Sequence, residues 1–132
     1  MLGVQPILGR SFTTDEIQPN GPSVVILSHA FWTRHFSADP SVIGRTLSLN
    51  ERPITIVGVL PASFDFAAMF APGNRVDLFV PYPITPQTGG GNTVAIVGRL
   101  APGVSIDRAR AEFTTLGNQL TQAHPDRNGV HP

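Results

Sequence analysis

Apolar positions in the last third of the chain recur at spacings of 3, 4, 3, 4 and 3: Ile106, Ala109, Phe113, Leu116, Leu120 and Ala123. This period predicts one amphipathic helix from Ile106 to about Ala123 with a single apolar seam. Before it, Thr93 to Leu100 reads as a strand, passing through Ala101-Pro102-Gly103-Val104-Ser105 into the helix. Such a seam must dock on something, so the pattern suggests a module that transmits or receives contact rather than one that performs chemistry.

Nearer the start the period changes. Residues 2 to 13 hold two Leu/Gly pairs around Pro6 and read as a turn-rich entry, and Asp15 to Pro22 reads as a polar loop. Val24-Val25-Ile26-Leu27 predicts a short buried strand. Ser28 can cap a helix from His29 to Phe36, on which Phe31, Trp32, His35 and Phe36 recur at helical spacing. Asp39-Pro40 ends that helix in a turn, because a residue before proline is pushed out of helical geometry.

Two alternating runs, Thr46 to Leu49 and Ile54 to Val59, stand on either side of Asn50-Glu51-Arg52-Pro53 and predict an antiparallel hairpin and sheet. Asp77-Leu78-Phe79-Val80 is a further strand ended by Pro81. Between them, residues 62 to 75 gather Phe64, Phe66, Met69 and Phe70 in what reads as a loop buried under its own aromatics. Gly89-Gly90-Gly91 is the clearest internal joint. The expected architecture is α+β: a β-rich lobe with a short helix over residues 1–88, and a strand-helix unit of a second α/β lobe over residues 89–132.

Composition removes several chemistries. The 132 residues include no cysteine, and all nine basic residues are arginine. Thiol nucleophiles, sulfur-bound zinc and disulfides are therefore absent, and no lysine is present for a Schiff base or a P-loop. Nine acids balance the nine arginines, and charged residues make up 14% of the chain, well below the ~25% typical of soluble domains. Nucleic acid is an unsuitable partner, since backbone phosphates call for a concentrated basic face. No apolar run approaches the ~18 residues of a membrane span.

The remaining candidates for chemistry have plainer explanations. His29 and His35, with Asp39 nearby, are six residues apart, which rotates them out of the i, i+4 register that suits two metal-binding histidines on one helix. Ser28 follows a strand and precedes His29 but lacks flanking glycines, so capping explains it better than nucleophilic catalysis. Asp107, Arg108, Arg110 and Glu112 read as a solvated helix face, with Arg108 and Glu112 paired at i, i+4. The triple glycine precedes a strand rather than a helix, so it fails as a phosphate cradle. No catalytic, cofactor or metal site is expected. The interaction surface expected instead consists of Phe64, Phe66, Met69 and Phe70 together with Ile106, Phe113, Leu116 and Leu120.

The order of these motifs is more specific than any one of them. Leu2-Gly3-Val4-Gln5-Pro6-Ile7-Leu8-Gly9-Arg10-Ser11-Phe12 is followed by Val24 to Ser28 and by Phe31-Trp32-Thr33-Arg34-His35-Phe36. Then come Asp39 to Leu47, Ile56-Val57-Gly58-Val59-Leu60-Pro61 with Phe64, Asp77 to Pro81, and Gly98 to Ser105. In this series the chain resembles the MacB-like periplasmic core domain of ABC-transporter permeases of the MacB and FtsX type. One departure is local: where the family's hairpin turn often reads Asn-Gly, Glu51 stands here, so a longer loop using Arg52-Pro53 is expected.

The resemblance implies a non-enzymatic extracytoplasmic domain of an inner-membrane permease. Its partners would be the permease's membrane helices and a separate cytoplasmic ATPase, and it would relay motion to a periplasmic protein or substrate. A secreted ligand-binding module lined by the Phe64–Phe70 aromatics is the alternative, and a hydrolase with converging Ser28, His29 and His35 is a weaker one. Met1-Leu2 reads as a start set within a longer sequence. A seam missing its natural cover would then favour a homodimer of this chain, paired symmetrically or by exchange of the C-terminal unit.

Overall fold

The computed structural model describes residues 3–83, 85 and 97–123. They fall into two compact units divided between residues 94 and 95. In the first unit lie β1 (Leu8–Gly9), β2 (Val24–Leu27), α1 (His29–Phe36), β3 (Thr46–Leu49), β4 (Arg52–Val59), α2 (Phe66–Phe70) and β5 (Leu78–Phe79); α3 (Ile106–Ala123) lies in the second.

The five strands form one sheet in the order β1-β4-β2-β5, with β3 also paired to β4. All four residues of β2 are buried. Val25 and Leu27 pack on one face with Trp32, Val42, Ile54, Ile56 and Val59, while Val24 and Ile26 pack on the other with Val57 and Leu60. An unbroken apolar run is what a strand covered on both faces requires. The β3–β4 hairpin is antiparallel as its alternation predicts, but the sheet around it is mixed, because β2 and β4 run parallel. The link between them carries α1, the crossover that a parallel pair needs.

The pairing of β2 with β4 slips by one residue, Val25 facing Ile56 and Ile26 facing Gly58, which leaves Val57 as a bulge. Before the bulge, Ile56 bonds toward the β3 side, donating to the Arg45 carbonyl and accepting from Gly44 N–H, both at 2.8 Å. After it, the carbonyls of Val57 and Val59 accept from Arg10 and Ile7 N–H, both at 2.9 Å. One strand thereby serves two short neighbours along the same edge.

The hairpin turn corrects the expectation of a longer loop. Leu49 pairs with Arg52, so only Asn50 and Glu51 turn the chain, with φ of 51° and 63°. Two positive φ values are those of the tight turn whose twist matches the flanking strands. Pro53 is tolerated within β4 because its nitrogen lies on the side away from β3; Thr55, two residues on, likewise donates to the Ser23 carbonyl.

In α1, the Ser28 hydroxyl accepts from Phe31 N–H at 3.1 Å, and Arg34 and His35 occupy the last turn. The Trp32 indole is buried and donates from Nε1 to the Asp39 carbonyl at 2.9 Å. The turn after α1 continues through Pro40–Val42 as a 3-10 helix whose Val42 is fully buried. The entry residues contribute β1, which the turn-rich reading did not include. The polar stretch Asp15 to Pro22 holds a 3-10 turn, Asp15–Ile17.

In the second unit, Ser105 Oγ accepts from Arg108 N–H at 3.2 Å and starts α3, whose bounds match the seam's prediction. Residues 97–100 form no strand, contrary to the expected Thr93–Leu100 strand; its first four residues and the Gly89–Gly91 joint lie outside the described residues.

Candidate functional site

The aromatic segment between β4 and β5 is organised around one short helix. The Asp65 carboxylate accepts from Ala68 N–H at 3.0 Å and starts α2, which turns Ala67 into the protein and brings Phe66 over Phe70 with ring centroids 4.9 Å apart. Phe64 stands 6.5 Å from Phe66. A fourth ring absent from the sequence reading completes the group: Phe79 of β5 lies 6.3 Å from Phe64 and 5.8 Å from Phe66. Its strand neighbours gave no local sign of this contact.

These rings are only partly covered. Phe64, Phe66 and Phe79 are half-buried, with Phe64 and Phe79 packed on the Val24, Ile26, Val57, Leu60 cluster. Met69 is 60% exposed and Phe70 43% exposed. The stretch is thus ordered at one end and open at the other. A five-residue helix has one face to bury, and Ala67 and Phe66 take it.

Beside these rings is a cleft of about 280 Å³, walled by the start of α1, residues 62–67 and residues 74–79. Its ionic groups are already engaged. Asp77 Oδ1 accepts from Arg34 at 3.1 Å and Oδ2 from Arg75 at 3.0 Å, while Asp65 holds α2.

Ser28 and His29 line the same cleft, but no nucleophile-base pair forms. The Ser28 hydroxyl is held by the helix start. His29 Nδ1 lies 3.5 Å from Thr33 Oγ1, and the His35 ring stacks on Phe31 at 4.3 Å with Arg34 beside its Nε2. Asp39 accepts from the Ser41 amide and hydroxyl and pairs with Arg45, contacts that hold its carboxyl below the usual range, the Ser41 amide foremost. Among the described residues, no three His, Asp or Glu side chains could hold a metal ion.

On α3, the seam residues stand in solvent, with exposure running from 44% at Leu120 through 51% at Leu116 and 58% at Phe113 to 64% at Ile106. Arg108 pairs with Glu112 at 3.2 Å and Arg110 with Asp107 at 3.7 Å, as a solvated face predicts. No described helix is long and apolar enough to cross a membrane.

One strong interaction had no signal in the sequence. Glu16 is buried, and its carboxylate accepts from Arg10 at 2.6 and 3.0 Å and from Thr13 N–H at 2.8 Å. The Arg10 guanidinium, assisted by that amide, lowers the Glu16 carboxyl from 4.5 to about 2. The pair ties the entry segment to the following turn, and a six-residue separation on irregular chain carries no periodicity that would reveal it.

Comparison with known proteins bears on this arrangement. The profile of the family described as MacB-like periplasmic core domain matches residues 1–116. The macrolide export ATP-binding/permease protein MacB of Aggregatibacter actinomycetemcomitans is 27% identical over 114 residues, covering 85% of this chain and 17% of that protein. The crystal structure of the periplasmic region of MacB from Actinobacillus actinomycetemcomitans matches with a TM-score of 0.52 and 19% identity, over 97% of this chain and 53% of that one. The chain therefore spans a small part of the curated relative and about half of the solved region.

Proposed function

The chain belongs to the family of MacB-like periplasmic core domains, and from that premise we propose that it relays motion between the membrane helices of an ABC-transporter permease and a partner or substrate in the periplasm. The family match over residues 1–116 carries this reading. The exposed apolar surfaces support it, since a relay must be gripped from outside. The domain works without catalysis of its own, and ATP is hydrolysed on a cytoplasmic protein or domain. The relative named above is an ATP-binding/permease protein. Residues 1–88 are read as the inserted lobe and 89–132 as part of the membrane-proximal lobe; the presence of two compact units, divided at 94/95, supports two lobes.

Two surfaces serve contact in this reading. Phe64, Phe66, Met69 and Phe70 face a periplasmic partner. The α3 seam takes another helix, because spacings of 3 and 4 are those of helix-on-helix packing; in the isolated chain a second copy supplies it.

Location and coupling are tested together. An epitope placed in the exposed Gln18–Asn20 stretch of the intact gene product should resist protease in whole cells and be cleaved in spheroplasts, and Phe66→Ser with Phe70→Ser should lower transport-coupled ATPase activity without lowering the protein's amount. Cleavage only after lysis of the spheroplasts overturns the periplasmic reading, and unchanged coupling overturns the relay.

A further inference from the structure

We propose that the outer edge of β3 takes an extended segment of a partner polypeptide, which pairs with Thr46 and Ser48 as one more antiparallel strand of the sheet. The proposal goes beyond the relay reading and does not depend on it, since it concerns a main-chain edge rather than the aromatic segment.

The direction of the main chain carries it. Within the hairpin Leu47 faces Ile54 and Leu49 faces Arg52, while Thr46 faces Thr55 and Ser48 faces Pro53. Thr55 donates to the Ser23 carbonyl on the β2 side, and Pro53 has no N–H to give. Bonded and non-bonded positions alternate in an antiparallel pair, so Leu47 and Leu49 bond to β4 while Thr46 and Ser48 turn their N–H and C=O groups outward. Both residues are exposed, and among the described residues β3 pairs with β4 alone.

Such an edge specifies its occupant. Its donors and acceptors recur every second residue, ~7 Å apart, a spacing that another extended chain reproduces and a compact small molecule does not. The side chains agree with this. Leu47 packs on the cluster of Trp32, Val42 and Ile54, and Leu49, on the same face, is 37% exposed. An added strand with apolar residues at alternate positions would therefore continue the core face, which is how strand addition combines main-chain affinity with side-chain specificity.

The other edges are closed. Pro81 and Pro83 follow the two-residue β5, and Pro6 precedes the two-residue β1; proline and shortness both block edge pairing. Residues 46–49 contain neither proline nor charge. Self-pairing is disfavoured, because the contact of two four-residue strands falls far short of the ~1,200 Å² that holds two folded copies together.

Nuclear magnetic resonance of the whole chain with millimolar acetyl-Ser-Val-Thr-Val-Thr-Glu-Ser-amide tests the proposal. The two threonines of this peptide are set to face Ser48 and Thr46. Amide exchange at Thr46 and Ser48 should slow at least tenfold, while Leu47 and Leu49, already bonded to β4, change by less than twofold. N-methylation of both peptide threonines should abolish the effect and N-methylation of both valines should leave it within threefold, a contrast that main-chain pairing alone gives. Ser48→Pro, which removes an outward N–H and no bond to β4, should abolish it too; should that variant melt early, the methylated peptides decide by themselves. No slowing at Thr46 and Ser48, equal effects of the two methylations, or slowing centred on Met69 and Phe70 would each overturn the proposal. So would Thr46 and Ser48 amides that exchange slowly without peptide and more slowly as protein concentration rises, the mark of a second copy on the edge. None of those results bears on the spheroplast test, so the two readings fail separately.

Discussion

The Trp32 indole reaches across the end of α1 to donate to the main-chain carbonyl of Asp39 at 2.9 Å. One side chain thus fills the core beneath β2 and β4 and also fixes the turn that leaves the helix. Trp32→Ala should cost about 3–5 kcal/mol. Trp32→Phe keeps most of the packing but removes one of the two donors to the carbonyl, which Val42 N–H also bonds at 3.3 Å, and should cost about 0.5–1.5 kcal/mol. Urea titration of the two variants separates the contributions; no loss in Trp32→Phe would show that the hydrogen bond is irrelevant, and equal losses that the packing is.

Glu16 gives the domain an acid limb. Its carboxyl titrates near 2 in the folded chain against 4.5 ordinarily, so between those values the unfolded state binds more protons and stability falls as pH falls. The contribution is complete above about pH 4.5 and lost on descending toward pH 2. Glu16→Gln should flatten that part of the stability curve and cost about 1–3 kcal/mol at neutral pH. Thermal melts from pH 7 to 2.5 on both proteins provide the check, and parallel curves would contradict the assignment.

Glu51 sits at φ 63° in a two-residue turn, where a side chain costs roughly 1–2 kcal/mol relative to glycine. Glycine's greater freedom in the unfolded chain offsets part of that gain. Glu51→Gly should therefore stabilise by about 0.5–1 kcal/mol and raise the melting temperature by a few degrees. A lower melting temperature would mean that Glu51 has a compensating contact.

The α3 seam should make the isolated chain associate with itself. Light scattering over a concentration series should show mass rising toward a dimer, and Leu116→Glu should return it to monomer while helical circular dichroism is kept. A wild-type mass that stays monomeric at high concentration would show that the seam needs a different partner.

What could be read from the sequence was what is local and periodic. The bounds of α1 and α3 followed from their apolar spacing and from Ser28 and Ser105, and β2 followed from four consecutive apolar residues. The rest depends on contacts between distant residues. Leu8–Gly9 is too short for any pattern to mark it as a strand, and it exists because the Val57 and Val59 carbonyls need partners. The parallel pairing of β2 with β4 is a property of the crossover, not of either run. At the candidate site, Phe64, Phe66, Met69 and Phe70 were visible as a cluster of large apolar residues. Phe79 and the paired Arg34, Asp77 and Arg75 were not, since Arg34 and Asp77 are 43 residues apart.

The extra residue at Val57 places an unusual demand on descent and engineering alike. Ile54, Ile56 and Val59 share one core face only because a residue is skipped between them, and the hydrogen bonds to β3 and β1 depend on the same offset. Deleting Val57 would leave Ile56 and Val59 two residues apart and so keep both on their core face, but it would remove the carbonyl that accepts from Arg10 N–H and with it one of the bonds that hold β1. In a related chain, a one-residue gap at position 57 would therefore mark a β4 without its bulge rather than a shortened loop.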